Sequence, residues 1–447
     1  MPELSALRNL VPVTTLLLMA ACAPAVEPPP ATAAGPEFAC DPDNGGIDLP
    51  EGLCAAVFAD GLGIVRHVAV NADGDVYVAT RPLQRRDEEG EVIQDQPGGV
   101  RALRDTDGDG RADVTETVNE VAGTGIAVHD GYLYYSSTTE VYRVALTPGE
   151  LVPSAEPELI VGGFPSQGQH ASKPITFDDS GSIYVTVGGP SNACQTEMRT
   201  PGSPGLDPCP QLELAGGIWR FDADAVGQSQ ADGQRYATGI RNAVAIDWSH
   251  QYGALYAVQH GRDSLSELFP ELYTAEQRRD IPAEELFRVE EADDFGWPYC
   301  YYDPFLQARV LGPEYGGDGE TVGRCAGTGE TLVGFPAHWA PNDLLFYDGS
   351  GLPERYAGGL FIAFHGSWNR NGFPQAGYNV VFVPFRDGRP DGDYEVFADG
   401  FAGVDEVLTP GDAQHRPMGL AQGPDGSLFI TDSRQGRIWR VRKQPDA

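Results

Sequence analysis

Lysine is almost absent from this chain. Of 30 basic residues only Lys173 and Lys443 are lysines, against 65 Asp and Glu, for a formal net charge of -35. A surplus of that size excludes nucleic acid as a partner, because polyphosphate binding needs a basic footprint. The acidic residues are scattered rather than blocked, as on a solvated surface. No Cys-x-x-Cys or Cys-x-x-Cys-His occurs, which argues against a zinc ribbon or a covalent haem. Long apolar runs are missing too: VPVTTLLLMAAC, after Arg8, is too short to span a bilayer. Helical periodicity is scarce. A lysine stranded in mid-chain at position 173 therefore stands out.

The short apolar run has the shape of a signal-peptide core, and it ends in Leu18-Met19-Ala20-Ala21-Cys22, a lipobox-like site. Residues 1–21 are expected to be a lipoprotein signal peptide. Residues 22–39, rich in Pro and Ala, are expected to form a tether. A membrane connection is expected only through a lipid on Cys22, which makes the protein exported, on a bacterial membrane facing the periplasm or the cell surface. Seven cysteines leave six once Cys22 is set aside. They fall into three neighbouring couples, Cys40 with Cys54, Cys194 with Cys209 and Cys300 with Cys325. As disulfides, each would stabilise by roughly 3 kcal/mol.

One phrase recurs six times: a turn rich in Asp and Gly, then alternating apolar residues. It reads NADGDVYVAT, VHDGYLYYSS, DDSGSIYVTV, SHQYGALYAV, YAGGLFIAFH and GPDGSLFITD. A second strand follows each: GGVRAL, EVYRVAL, GGIWRFD, LFRVEE, NVVFVPF and GRIWRV. Six paired repeats punctuated by 56 Gly and 36 Pro predict an all-β, six-bladed β-propeller over 40–443. The expected exception is a short helical insertion between Leu265 and Glu285.

Asp105 to Glu116, DTDGDGRADVTE, matches the twelve-residue calcium loop of EF-hands. The candidate calcium set is Asp105, Asp107, Asp109, Arg111, Asp113 and Glu116. No helical pattern flanks it, so a structural calcium staple on a propeller loop is expected rather than a sensor.

Propellers place chemistry where the blades meet the central channel. Four stretches put polar residues at equivalent blade ends. GQHASKPITF carries His170 and Lys173; ATGIRNAVAIDW carries Arg241 and Asn242. FHGSWNRNG carries His365, Trp368 and Arg370, and QHRPMGLAQGPDG carries His415 and Arg416. Converging basic groups in so acidic a chain predict an anionic ligand.

These motifs, with DDFGWPYC and HGSWNR as the most specific, resemble the pyrroloquinoline quinone (PQQ)-dependent sugar dehydrogenases, specifically the bacterial glucose/sorbosone dehydrogenase family. The resemblance covers Cys40 to Arg442. It implies PQQ and calcium as cofactors, a sugar or polyol substrate, and an electron acceptor of quinone or cytochrome type. His170 then matches the general base, and Asn242, Arg370 and Arg416 match cofactor contacts. Position and charge add Lys173 and Arg241 to that set. Gly261, Glu284 and Glu285 stand at the register of a second calcium site, and Phe295 replaces a family Tyr there. The alternatives are a calcium-dependent lactonase and a non-catalytic binding propeller on a lipoprotein.

Overall fold

A computed structural model describes residues 38–86 and 91–444. The expected signal peptide and most of the tether lie outside the described residues. Six sheets of four main strands are arranged as the blades of a propeller. The recurring phrases are the second strands of the blades: Val76–Arg81, Tyr132–Ser136, Ser182–Val187, Ala254–Gln259, Leu360–Phe364 and Leu428–Asp432. Their partners from the sequence are the third strands. The innermost strands are Ile64–Val70, Ile126–His129, Ile175–Phe177, Ala245–Ser249, Pro341–Phe346 and Pro417–Gln422. They line the central channel.

The chain closes on itself in blade 6. Leu53–Ala59 forms the outer strand there, antiparallel to Ile438–Lys443, with Leu53 opposite Lys443 and Val57 opposite Trp439. The two ends of the propeller are thereby stitched together by backbone hydrogen bonds. Closure of this kind leaves no long exposed sheet edge.

Why these segments are strands is visible in Ser182–Val187. Ile183, Val185 and Val187 pack toward blade 2, whereas Tyr184 packs toward blade 4. With side chains alternating across a strand, one segment supplies two core layers. The same division repeats around the ring, so the core is six apolar layers between adjacent blades. Each fully buried Val, Leu, Ile or Phe in those layers contributes about 1.5–3 kcal/mol.

The expected insertion is two short helices, Leu265–Leu268 and Ala275–Asp280, packed with Tyr273, Tyr301 and Val310. It ends sooner than the sequence suggested. Glu284 and Glu285 already belong to the third strand of blade 4, Glu284–Val289. All three cysteine couples are disulfides: Cys40–Cys54, Cys194–Cys209 and Cys300–Cys325.

Candidate active site

Residues that open the inner strands and residues that close the second strands meet on one face. His170, Lys173, Arg241, Asn242, His338 and Arg416 come from the first group, and Arg81, His260 and His365 from the second. Bonds across the channel show the convergence. His67 Nε2 lies 2.7 Å from the Asn342 carbonyl, and Arg81 Nη2 donates to Ser172 Oγ at 2.8 Å.

A cavity of about 440 Å³ opens here, lined by His170, Arg241, Asn242, His260, Asp263 and Glu284, with Trp368 at its rim. His170 has a φ of +52°, in the left-handed region that a non-glycine residue adopts only when its surroundings hold it. Gly188 makes room: a Cβ there would lie 2.6 Å from the His170 Cβ. His170 Nδ1 lies 2.5 Å from the Gly189 carbonyl, which can only accept, so Nδ1 carries the proton and Nε2 keeps its lone pair. Gly189 N in turn donates to the Arg241 carbonyl at 2.7 Å. Burial, then the Arg241 charge, push the imidazole down to about 3, so it is neutral near pH 7.

Arg241 itself is fully satisfied. It donates to the Asn192 carbonyl and Oδ1, to the Gly261 carbonyl at 2.9 Å and to Asp263 Oδ2 at 2.9 Å. Asp263 also accepts from Arg199 at 3.0 Å and Asn369 at 2.7 Å. Burial alone would raise this carboxyl, yet Arg241 and its other partners hold it below the ordinary range. Arg241 is therefore a neutralised strut under His170.

The other cations of this face, Arg66 and Lys173 buried and Arg81 and Arg416 half-buried, are different. Arg66, Arg81, Lys173 and Arg416 form no ion pair among the described residues. Arg66 and Arg81 reach only hydroxyl oxygens, of Thr124 and Ser172. Lys173 donates to the Ala171 carbonyl, and Arg416 to the carbonyls of His365 and Gly366. Lys173 is wholly buried, and burial followed by the Arg81 charge push it down to about 8. Burial, then Arg81 and Arg416, lower Arg66 well below its usual value. Buried cations without counterions cost several kcal/mol unless a ligand supplies the anion. Arg66 and Arg81 escaped sequence reading: Arg66 lies within the inner strand of blade 1 and Arg81 closes its second strand. His260, Asp263 and His338 also went unread, being ordinary residues until the fold gathers them.

Arg370 does not join this cluster. It lines a separate depression with Arg279, Phe305 and Tyr394. His415 is a buried structural group, its Nδ1 2.9 Å from Asp432 Oδ2. Gly261, Glu284 and Glu285 are not brought together as one ligand set. The Gly261 carbonyl is taken by Arg241, and Glu284 accepts from Gly261 N at 2.6 Å and Ala340 N at 3.2 Å. Neighbours on a strand point to opposite sides, so Glu285 faces away and is bound by Arg309 at 2.6 Å and Thr331 at 2.6 Å. The acidic loop is the turn between Gly99–Arg104 and Val114–Asn119, the outer strands of blade 1. Asp105, Asp107 and Asp109 converge, each offering an oxygen within 4.8 Å of the others. Asp113 is turned to Thr106, accepting from its N at 2.8 Å and its Oγ1 at 2.6 Å. Arg111 pairs with Asp41 at 2.7 Å, and Glu116 lies within the outer strand opposite Ala102.

Comparison with known proteins agrees with this architecture. The calcium structure of the Trichoderma reesei family AA12 carbohydrate-active enzyme superposes with a TM-score of 0.70 at 18% identity, covering 89% of this chain and 97% of that one. The holo PQQ domain of pyranose dehydrogenase from Coprinopsis cinerea gives 0.68 at 20% identity, covering 92% and 99%. At such identities the likeness is one of fold. A PQQ-dependent pyranose dehydrogenase of Coprinopsis cinerea is 25% identical over 260 residues, 50% of this chain and 34% of that enzyme. The chain spans about half or less of the length of the curated relatives it matches. The TrAA12-like family model matches residues 47–444, and the chain belongs to that family.

Proposed function

We propose that this protein is a PQQ-dependent oxidoreductase that oxidises a hydroxyl of a sugar or polyol, with His170 as general base. The observation that carries the reading is a set of four cations without counterions, Arg66 and Lys173 buried and Arg81 and Arg416 half-buried, on the same face as a histidine held neutral with Nε2 free. Bound PQQ supplies an ortho-quinone that accepts hydride and three carboxylates that require cations. Arg66, Arg81, Lys173 and Arg416 would hold those carboxylates, and Asn242 offers an amide in the adjoining cavity. His170 Nε2 takes the substrate hydroxyl proton, oriented through Gly189 and the Arg241 backbone. An anion beside it offsets the guanidinium field and makes the imidazole a stronger base. Trp368, 57% exposed at the cavity rim, presents an aromatic face to the ring of a sugar.

Calcium fits the three converging carboxylates of the acidic loop, as a staple between outer strands. The lactonase alternative needs carboxylates free to hold a metal in the channel. Asp263 is committed to three donors and Glu284 to two backbone N–H groups, which favours the anion-binding reading. Export and a lipid on Cys22 complete the proposal, and loss of membrane association in Cys22→Ser checks that part.

The experiment is an absorbance titration of the cofactor-free protein with PQQ, with and without calcium, followed by dye reduction over a sugar panel. The parent should bind PQQ and turn over. His170→Gln should bind PQQ as the parent does while turnover falls roughly 10²- to 10⁴-fold. Absence of PQQ binding would overturn the reading, and parent-like turnover in His170→Gln would remove the base assignment.

A further inference from the structure

Arg370 lies on the loop that also carries Trp368 and Asn369, yet it opens on a different depression, of about 290 Å³. The two cavities share a wall. His338 and Asn369 face the His170 cavity, while their chain neighbours Ala337 and Arg370 face the depression. Arg278 braces this wall, donating to the Asn369 carbonyl at 3.0 Å and the Asn371 carbonyl at 2.9 Å, and so brackets Arg370.

The Arg370 guanidinium makes no ion pair among the described residues, and its Nε is buried without a hydrogen bond. Its acidic neighbour, Asp280, is already held by both arms of Arg279, at 2.7 and 2.6 Å. Around this free fork stand aromatic surfaces. Phe305 is 73% exposed, and the Tyr394 ring packs 5.1 Å from Phe335. In a chain of net charge -35, an unpaired guanidinium against aromatic walls is a place where a carboxylate can be taken bidentately. The volume falls just below the roughly 300–1,000 Å³ usual for ligand pockets, which suits a single sugar unit.

We propose that this depression is a subsite for the carboxylate-bearing unit of an acidic saccharide, a uronic acid. Arg370 takes the carboxylate, and Phe305 and Tyr394 take the ring. The sugar half of the assignment rests on the sugar-oxidising reading above; the anion half rests on Arg370.

Calorimetric titration of the whole cofactor-free protein tests it, with digalacturonate, its dimethyl ester and acetate as ligands. The parent should bind the acid at least about tenfold more tightly than the ester, and acetate far more weakly than either. Arg370→Gln should weaken acid binding roughly 10- to 100-fold, the usual worth of a charged hydrogen bond, and leave the ester unchanged. Phe305→Ala should weaken both. Since Arg370 carries no structural bond through its guanidinium, Arg370→Gln should melt with the parent. Equal binding of acid and ester, parent-like binding by Arg370→Gln, acetate as good as digalacturonate, or no binding at all overturns the subsite. These readings do not involve PQQ. A failed PQQ titration with the acid preference intact removes the redox reading alone, and the reverse removes the subsite alone.

Discussion

Arg241 and Arg66 are both buried, both sit where an inner strand begins, and both look toward the channel. Their surroundings differ completely. Arg241 is matched by Asp263, two carbonyls and an amide oxygen, whereas Arg66 reaches only a threonine hydroxyl at 3.5 Å. One half of the face is electrically closed and shapes a base; the other is open and awaits an anion. Burial and residue type do not separate a structural cation from a binding one. The partner does.

The sharpest way to break this comparison is to remove each cation in turn. Arg241→Met leaves Asp263 as a buried charge stripped of its main counterion, and should destabilise the cofactor-free protein by about 3–5 kcal/mol in denaturant unfolding. Arg66→Met should do the reverse: its melting temperature without cofactor rises, because an uncompensated charge is gone. Its PQQ affinity should fall roughly 10- to 100-fold, read by absorbance titration. If the two variants behave alike, the division of the face into closed and open halves is wrong.

A third test concerns the acidic loop, where the carboxylates of Asp105, Asp107 and Asp109 converge and accept mainly from the loop's own backbone N–H groups. Asp107→Ala should abolish the rise in melting temperature that calcium gives the parent, the sign of a stabilisation of about 2.7 kcal/mol at a hundredfold excess over the dissociation constant. Turnover at saturating PQQ should stay near the parent value. A calcium-dependent gain equal to the parent's would remove the staple.

A fourth test concerns Glu284, a carboxyl of the closed half that accepts from backbone N–H groups. Burial pushes it up from 4.5 to about 8, so the folded protein keeps a proton that the unfolded chain releases. The stability this group contributes is complete below pH 4.5 and is lost as pH rises through 8. Glu284→Gln has no such proton to lose. Without calcium, its stability relative to the parent should rise steadily as pH goes from 5 to 8. A constant difference across that range would show that Glu284 does not titrate there.

Much of this was open to reading along the chain. The Asp-Gly turns with alternating apolar residues mark the second strands because those strands are buried on both faces and entered through tight turns. The inner strands were harder to see. Ile175–Phe177 is three residues long and Ile126–His129 four, too short for periodicity to register. His170, Lys173, Asn242 and Arg416 were visible as polar residues at repeated blade ends. Arg370 was misplaced among them, because HGSWNR sits at a blade end like the others but its loop turns outward past Asn369.

The sequence by itself determined the six-fold repeat, the three disulfide couples and the acidic loop, since each is a local pattern of spacing. It also determined that positive charge would be sparse enough for every unpaired cation to matter. Which cations are unpaired was decided only in three dimensions. Arg241 meets Asp263 across 22 positions and Arg81 meets Ser172 across 91, and no local rule reports such distances. A charge is classified by what the fold sets beside it, and in a closed ring the neighbours of each blade end come from blades elsewhere in the chain.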